Sequence, residues 1–229
     1  MKLLAIGAHP DDIEFGCAPV LINEIKKGNQ VDLLVLSRGE AGSSGTPNQR
    51  EQESRRAARL MGASVKILDF GGDCYLQYTP ENSLRIAAEI RELQPAIVLA
   101  PHTEENQHPD HAVAGRITRD ACRLARYGGL GPLKHLPVHN VGVLYFYHIT
   151  RHLDPPDIVV DIGEVVDEWE AAMNCHESQV STKSYIDLQK SAARLLGLTI
   201  GVEYALGLYA NDPIRVSHLS DLTLSSRNF

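Results

Sequence analysis

His9-Pro10-Asp11-Asp12 and His108-Pro109-Asp110-His111 gather three imidazoles and three carboxylates into two short segments far apart in the chain. Histidine and aspartate ligate catalytic zinc, which takes about three protein ligands and keeps one position open for water. They also move protons near neutral pH. A turn stiffened by Pro10 can aim His9 and Asp12 at one point, and His111, at the start of a helix, can reach that point from a second loop. Asp11 and His108 are then left for proton transfer, with Asp110 as a carboxylate beside His108. Taken singly, each segment has a plainer explanation. Asp11 or Asp12 can cap a helix N-terminus, and an H-x-x-H pair can be two solvated histidines. Two such segments, each following a buried strand, are harder to obtain from capping alone.

The surrounding pattern supplies those strands. Leu3 to Ile6 is a short apolar run, followed by the first segment and then by Ile13, Cys17, Leu21 and Ile25 at helical spacing, ending at Gly28. Val31 to Leu36 is apolar except for Asp32 and does not alternate, as a strand covered on both faces should not. A Gly/Ser-rich loop over 39–47 leads to a helix over about 49–61 closed by Gly62, then a strand over 65–70. Thr79-Pro80 opens another helix that stops before Pro95, and 96–100 is again strand-like. The loop 101–110 carries the second segment, and a helix follows over roughly 112–126. Strands near 141–147 and 158–162 and two C-terminal helical stretches complete the pattern. Strands alternating with helices predict a doubly wound, mostly parallel sheet with helices on both faces, as one domain over 1–229. In such sheets the ligand site lies beyond the carboxyl ends of the strands, where both segments fall.

The chain has 229 residues, 43% hydrophobic and 22% charged, enough for one sizeable core. A net charge of −7 argues against a polyanionic partner, so nucleic acid is not expected as a substrate. The four cysteines form no C-x-x-C pair and read as free thiols. The apolar run at the N-terminus is too brief for a secretory segment, and no stretch approaches the ~20 residues that span a bilayer. A cytoplasmic protein without membrane contact is the expectation. Glu40 and Asp73 follow strands at the same rim and are candidates for binding substrate, or simply exposed loop carboxylates. Arg50 is a candidate for holding a substrate carboxylate, or one member of a charged helix face. The histidines at 135, 139, 148, 152, 176 and 218 lack partners at ligand spacing and read as surface or core residues. Tyr145 to Tyr147 and Trp169 read as packing.

The stretch Ala8 to Asp12 with the later His108 to Gly115, A-H-P-D-D and H-P-D-H-x-x-x-G, resembles the LmbE/PIG-L family of zinc N-deacetylases over the whole chain. The segments Gly45 to Arg50, Thr79 to Asn82 and Ser178-Gln179 resemble its bacillithiol branch, whose member removes acetyl from N-acetylglucosaminyl malate. The resemblance implies a Rossmann-like fold and one zinc per chain on His9, Asp12 and His111. It implies Asp11 as general base, His108 as the group that meets the oxyanion or protonates the amine, and Arg50 as a grip on substrate oxygen. It also implies a homo-oligomer, a trimer or hexamer. One position departs: Gln107 stands where the branch often carries arginine beside the malate carboxylate.

These readings predict metal-assisted hydrolysis of an N-acetyl group on an amino sugar. Zinc would polarise the amide carbonyl and lower the pKa of its water toward about 7. His108 is expected to act while protonated, favoured by nearby carboxylates. The rivals are a two-metal phosphoesterase, which needs more ligands, and a metal-binding protein without catalysis. A dinucleotide-binding protein is disfavoured, because Gly7 to Asp12 replaces a glycine fingerprint with anionic side chains.

Overall fold

The computed structural model describes residues 1–229 except 106–107, 151–154, 182, 224 and 226–229. Seven strands form one sheet: β1 (Lys2–Gly7), β2 (Gln30–Val35), β3 (Ser64–Ile67), β4 (Ile97–Pro101), β5 (Val143–Tyr147), β6 (Ile158–Asp161) and β7 (Ala205–Ala210), in the order β3-β2-β1-β4-β5-β7-β6. The first five are parallel, in the doubly wound order expected. β7 runs antiparallel to both β5 and β6. No strand was expected over 205–210, because the strand pattern read from the sequence ends at 158–162. Its segment Ala205-Leu-Gly-Leu-Tyr-Ala210 alternates no more clearly than a buried helix would.

Helices cover both faces. Alternate residues of β1 divide between two cores: Leu3 and Ala5 pack with Val31, Leu33 and Trp169 on one side, and Leu4 and Ile6 with Leu34, Ile86 and Ile117 on the other. The first side holds α2 (Ala18–Lys26), α3 (Pro47–Met61) and α6 (Val166–Asn174), and the second α4 (Pro80–Leu93) and α5 (Pro109–Ala125). The single first helix expected over 13–25 is two, α1 (Asp12–Gly16) and α2, parted at Cys17 with φ −148°. Gly16 explains the tightness there: a Cβ would lie 2.3 Å from the Tyr147 ring, which is wholly buried and donates its hydroxyl to Ile6 O at 2.7 Å. Among the described residues beyond β6 there are three α-helices, α6, α7 (Glu177–Val180) and α8 (Tyr185–Ile200), where two helical stretches were expected. Trp169 on α6 donates its indole N–H to Glu14 O at 2.8 Å, tying that region to the first loop. Trp169, Phe146 and Tyr147 are buried packing residues as read from the sequence. None of the described helices is long and apolar enough to cross a membrane.

Candidate metal centre

β1 and β4 are neighbours, and from β1 the chain runs outward to one side of the sheet and from β4 to the other. Loops leaving neighbouring strands in opposite directions open a crevice, and both His/Asp segments line it. The cleft has a volume of about 300 Å³.

Asp12 begins α1, but its carboxylate looks back. Oδ2 accepts the backbone N–H groups of Ala8 and His9 at 2.8 and 2.9 Å. Oδ1 is left toward His111 Nε2, 3.0 Å away. His111 stands one turn into α5, which starts at Pro109 rather than near 112; His108 is the N-cap, its Nδ1 accepting the Asp110 N–H at 3.2 Å. His9 completes the group, with Nδ1 3.5 Å from Asp12 Oδ2. Its Nε2 lies 3.1 Å from Asp73 Oδ1 and 3.3 Å from Asp110 Oδ2. Two carboxylates at Nε2 hold a proton on that nitrogen and leave the Nδ1 lone pair for a cation, the usual outer support of a metal-bound histidine. His9, Asp12 and His111 are all buried, and one donor atom from each fits within 4.8 Å of the others. The donor set of two imidazoles and one carboxylate, with Asp12 Oδ1 uncommitted to any backbone group, fits a divalent cation with an open position. Burial alone would raise the Asp12 carboxyl, but the His111 and His9 rings hold it well below the usual range.

Asp11 sits at φ 120°, a region rare for a non-glycine residue, and its side chain makes no capping bond. The capping explanation therefore fails for Asp11. Burial pushes its carboxyl up to about 6, against the pull of the Arg50 guanidinium. Such a carboxylate accepts a proton near neutral pH better than an ordinary one. Arg50 is buried, with Nη2 donating to Pro10 O at 3.0 Å and to Asp11 Oδ2 at 3.3 Å, and Nη1 to Gly39 O at 3.2 Å. The glycine-rich loop makes room for it: a Cβ on Gly39 (φ +70°) would stand 2.0 Å from Nη1. Both terminal nitrogens of Arg50 are thus spent on backbone and side-chain oxygens of the site itself.

His108 lines the cleft, and its Nδ1 cap bond puts the proton of the neutral ring on Nε2, facing the cavity. Its pKa is lowered, by burial first and then by the neighbouring His9 and His111 rings. Asp110, the carboxylate expected to favour a protonated His108, has its Oδ2 3.3 Å from His9 Nε2. Asp73 is buried and held at about 2, chiefly by its bond with His9. Its partners are imidazoles rather than a vacant sugar position. Glu40 is exposed and clamps two loops, accepting from Arg38 N at 3.1 Å and Asp73 N at 2.9 Å. Asp110 accepts from Cys74 N at 2.8 Å as well as facing His9. Gln107 and His152 lie outside the described residues.

One histidine set aside in the sequence belongs near this site. His176 is fully buried, its Nε2 3.4 Å from Glu14 Oε1, and its pKa is raised: burial lowers it, but Glu14, Asp11 and Glu53 outweigh that. The spacing from Glu14 carries no local signal. Only the packing of α6 and α7 against α1 brings the two together.

A crevice at the sheet reversal, holding a divalent-cation donor set with a carboxylate and an imidazole beside it, is the site of a metal-assisted hydrolase. Residues 4–122 match the family model described as PIG-L: GlcNAc-PI de-N-acetylase, and the chain belongs to that family of amide-cleaving deacetylases. It is 30% identical over 191 residues to diacetylchitobiose deacetylase of Thermococcus kodakarensis, covering 78% of this chain and 70% of that one. A 4-oxalmesaconate hydratase of Pseudomonas putida is 26% identical over 92% of this chain and 89% of its own. A protein of Bacillus anthracis named as a probable N-acetyl-alpha-D-glucosaminyl L-malate deacetylase 2 is 25% identical over 79% of this chain and 82% of its own. Among solved structures, the conserved protein TT1542 of Thermus thermophilus superposes with a TM-score of 0.83 at 33% identity, over 93% of this chain and 96% of that one.

Proposed function

We propose that the protein removes the N-acetyl group of an N-acetylglucosamine conjugate, using one zinc ion held by His9, Asp12 and His111. The observation that carries this reading is the convergence of three ligand atoms from the ends of β1 and α5 beside two unspent proton-transfer groups. A cation there supplies a Lewis acid for the amide carbonyl and makes the attacking water more acidic. Asp11 accepts the proton of that water as it adds to the acyl carbon. The Arg50 contact keeps the Asp11 carboxylate turned into the cleft. His108 donates its Nε2–H to the oxygen that gains charge, acting as a neutral donor in the manner of an oxyanion hole. The proton gathered by Asp11 then passes to the departing amine, and acetate and free amine leave.

With three of its five N–H groups committed to Asp11, Pro10 and Gly39 and its Nε buried, Arg50 is poorly placed to grip a malate carboxylate with a pair of N–H donors. This favours an uncharged sugar or polyol aglycone over malate. We place the protein in the cytoplasm as a homo-oligomer of one-domain chains, in line with its family. The test is acetate release from diacetylchitobiose, N-acetylglucosaminyl malate, N-acetylglucosaminyl inositol and N-acetylglucosamine, with and without a chelator. Chelator-sensitive release from at least one of them is expected. No release from any, with hydration of a 4-oxalmesaconate-type diacid in its place, would overturn the reading in favour of the hydratase relative's chemistry.

A further inference from the structure

We propose that Asp73, Cys74 and His108 form a second, weaker transition-metal site at the lip of the cleft, and that an ion bound there stops catalysis by occupying His108 Nε2. The inhibitory half of this statement rests on the reading of His108 given above; the binding half does not.

The argument is geometric. Asp73 Oδ1 lies 3.4 Å from Cys74 Sγ and 3.7 Å from His108 Nε2, and Sγ lies 3.6 Å from Nε2. Bonds of about 2.0–2.3 Å at tetrahedral angles put neighbouring zinc ligands about 3.3–3.6 Å apart. The three atoms therefore outline one face of such a tetrahedron. A carboxylate oxygen of Asp110 lies within 4.8 Å of the Asp73 and His108 donor atoms and is the natural fourth ligand. His9 stays outside the second sphere, since its Nε2–H is the donor to Asp73 and Asp110.

The donor set decides which ions enter. A thiolate with an imidazole selects zinc, cobalt or cadmium over magnesium or calcium, which prefer all-oxygen surroundings. Cys74 is exposed, so the position opens to solvent and fills from it. Binding has a cost that keeps it weaker than the first site. The Cys74 thiol gives its proton to water, and the His108 proton moves from Nε2 to Nδ1. That shift breaks the Asp110 N–H bond that caps α5. One proton is released per ion bound.

The experiment uses the full chain stripped of metal and titrated with Co²⁺, then with Zn²⁺. The first equivalent is expected to bind without a thiolate-to-cobalt charge-transfer band and to restore acetate release. The second is expected to bring that band, release one proton and suppress turnover. Cys74→Ala leaves the backbone N–H to Asp110 in place. It is expected to retain the first ion and full activity, to show no band, and to need at least about tenfold more zinc for inhibition. His111→Ala reports on the first site separately: it should lose the first equivalent and keep the thiolate band. If no thiolate band forms at any cobalt level, or if Cys74→Ala is inhibited at the same zinc concentration as the parent, the second site does not exist. If His111→Ala binds its first equivalent normally, it is the first site that has been misread.

Discussion

Gly115 is where the spacing of the second segment meets the sheet, and replacing it with alanine tests how the centre is assembled. A Cβ there would stand 2.3 Å from Pro101 O and 3.2 Å from His102 O, both backbone atoms that cannot swing aside. Ordinary contact begins near 3.4 Å, so α5 must retreat from β4 by about 1 Å. His111 lies one turn before Gly115 on that helix and would carry its Nε2 away from Asp12 Oδ1 by a similar amount. Overpacking of this kind costs about 1–3 kcal/mol of stability. A 1 Å displacement of a catalytic group costs on the order of 10² in rate, or about 2.7 kcal/mol of transition-state stabilisation at 1.36 kcal/mol per tenfold. The assays are urea unfolding, zinc retention on dialysis and acetate release. Gly129→Ala serves as the control, because an added Cβ there meets nothing within 4 Å. Gly115→Ala that kept its zinc and turned over within twofold of the parent would show that α5 does not set the ligand geometry, and the argument from close approach would be wrong.

Asp11→Ala should lower turnover by about 10²–10⁴ while the bound zinc content measured by atomic absorption stays at the parent level; loss of the zinc would make Asp11 a ligand instead. Arg50→Met removes the bonds to Pro10, Gly39 and Asp11 together, so it should lower kcat and also destabilise by about 1–3 kcal/mol in chemical denaturation; a change confined to KM would return Arg50 to a substrate grip. His176 binds its proton more tightly in the folded chain than the ordinary 6.5. The resulting stabilisation is complete below about pH 6.5 and is lost as the pH rises through the higher folded value. The parent's melting temperature should therefore fall over that rise, and His176→Gln should lack that part of the slope; parallel curves would remove His176 from the account.

The parallel half of the sheet was legible because short, mostly apolar segments recur between helix signals, with Gly62 and Thr79 marking ends that the structure repeats. The two His/Asp segments were legible because the first directly follows β1 and the second ends the loop that leaves β4. What the residues could not disclose was pairing across distance. β7 has no period of its own, and its direction depends on the antiparallel return after α8. His176 acquires meaning only once α7 is folded against α1, and Asp73 only once His9 is seen to turn its Nε2 toward it. The surroundings of His108 were hidden for a related reason: only the fold brings the His9 and His111 rings, as well as Asp73, against it.

Asp12 closes its own turn with one oxygen and turns the other toward His111, where the proposed cation would sit. Shape and affinity at that position are consequently a single property: any replacement that alters the charge or reach of the ligand also unpins the corner that presents it. His111 carries no such double duty, since its Nδ1 has no protein partner. If the proposed site holds a metal, an attempt to retune its preference through the side chains has its freedom on the helix, at position 111, and almost none in the loop.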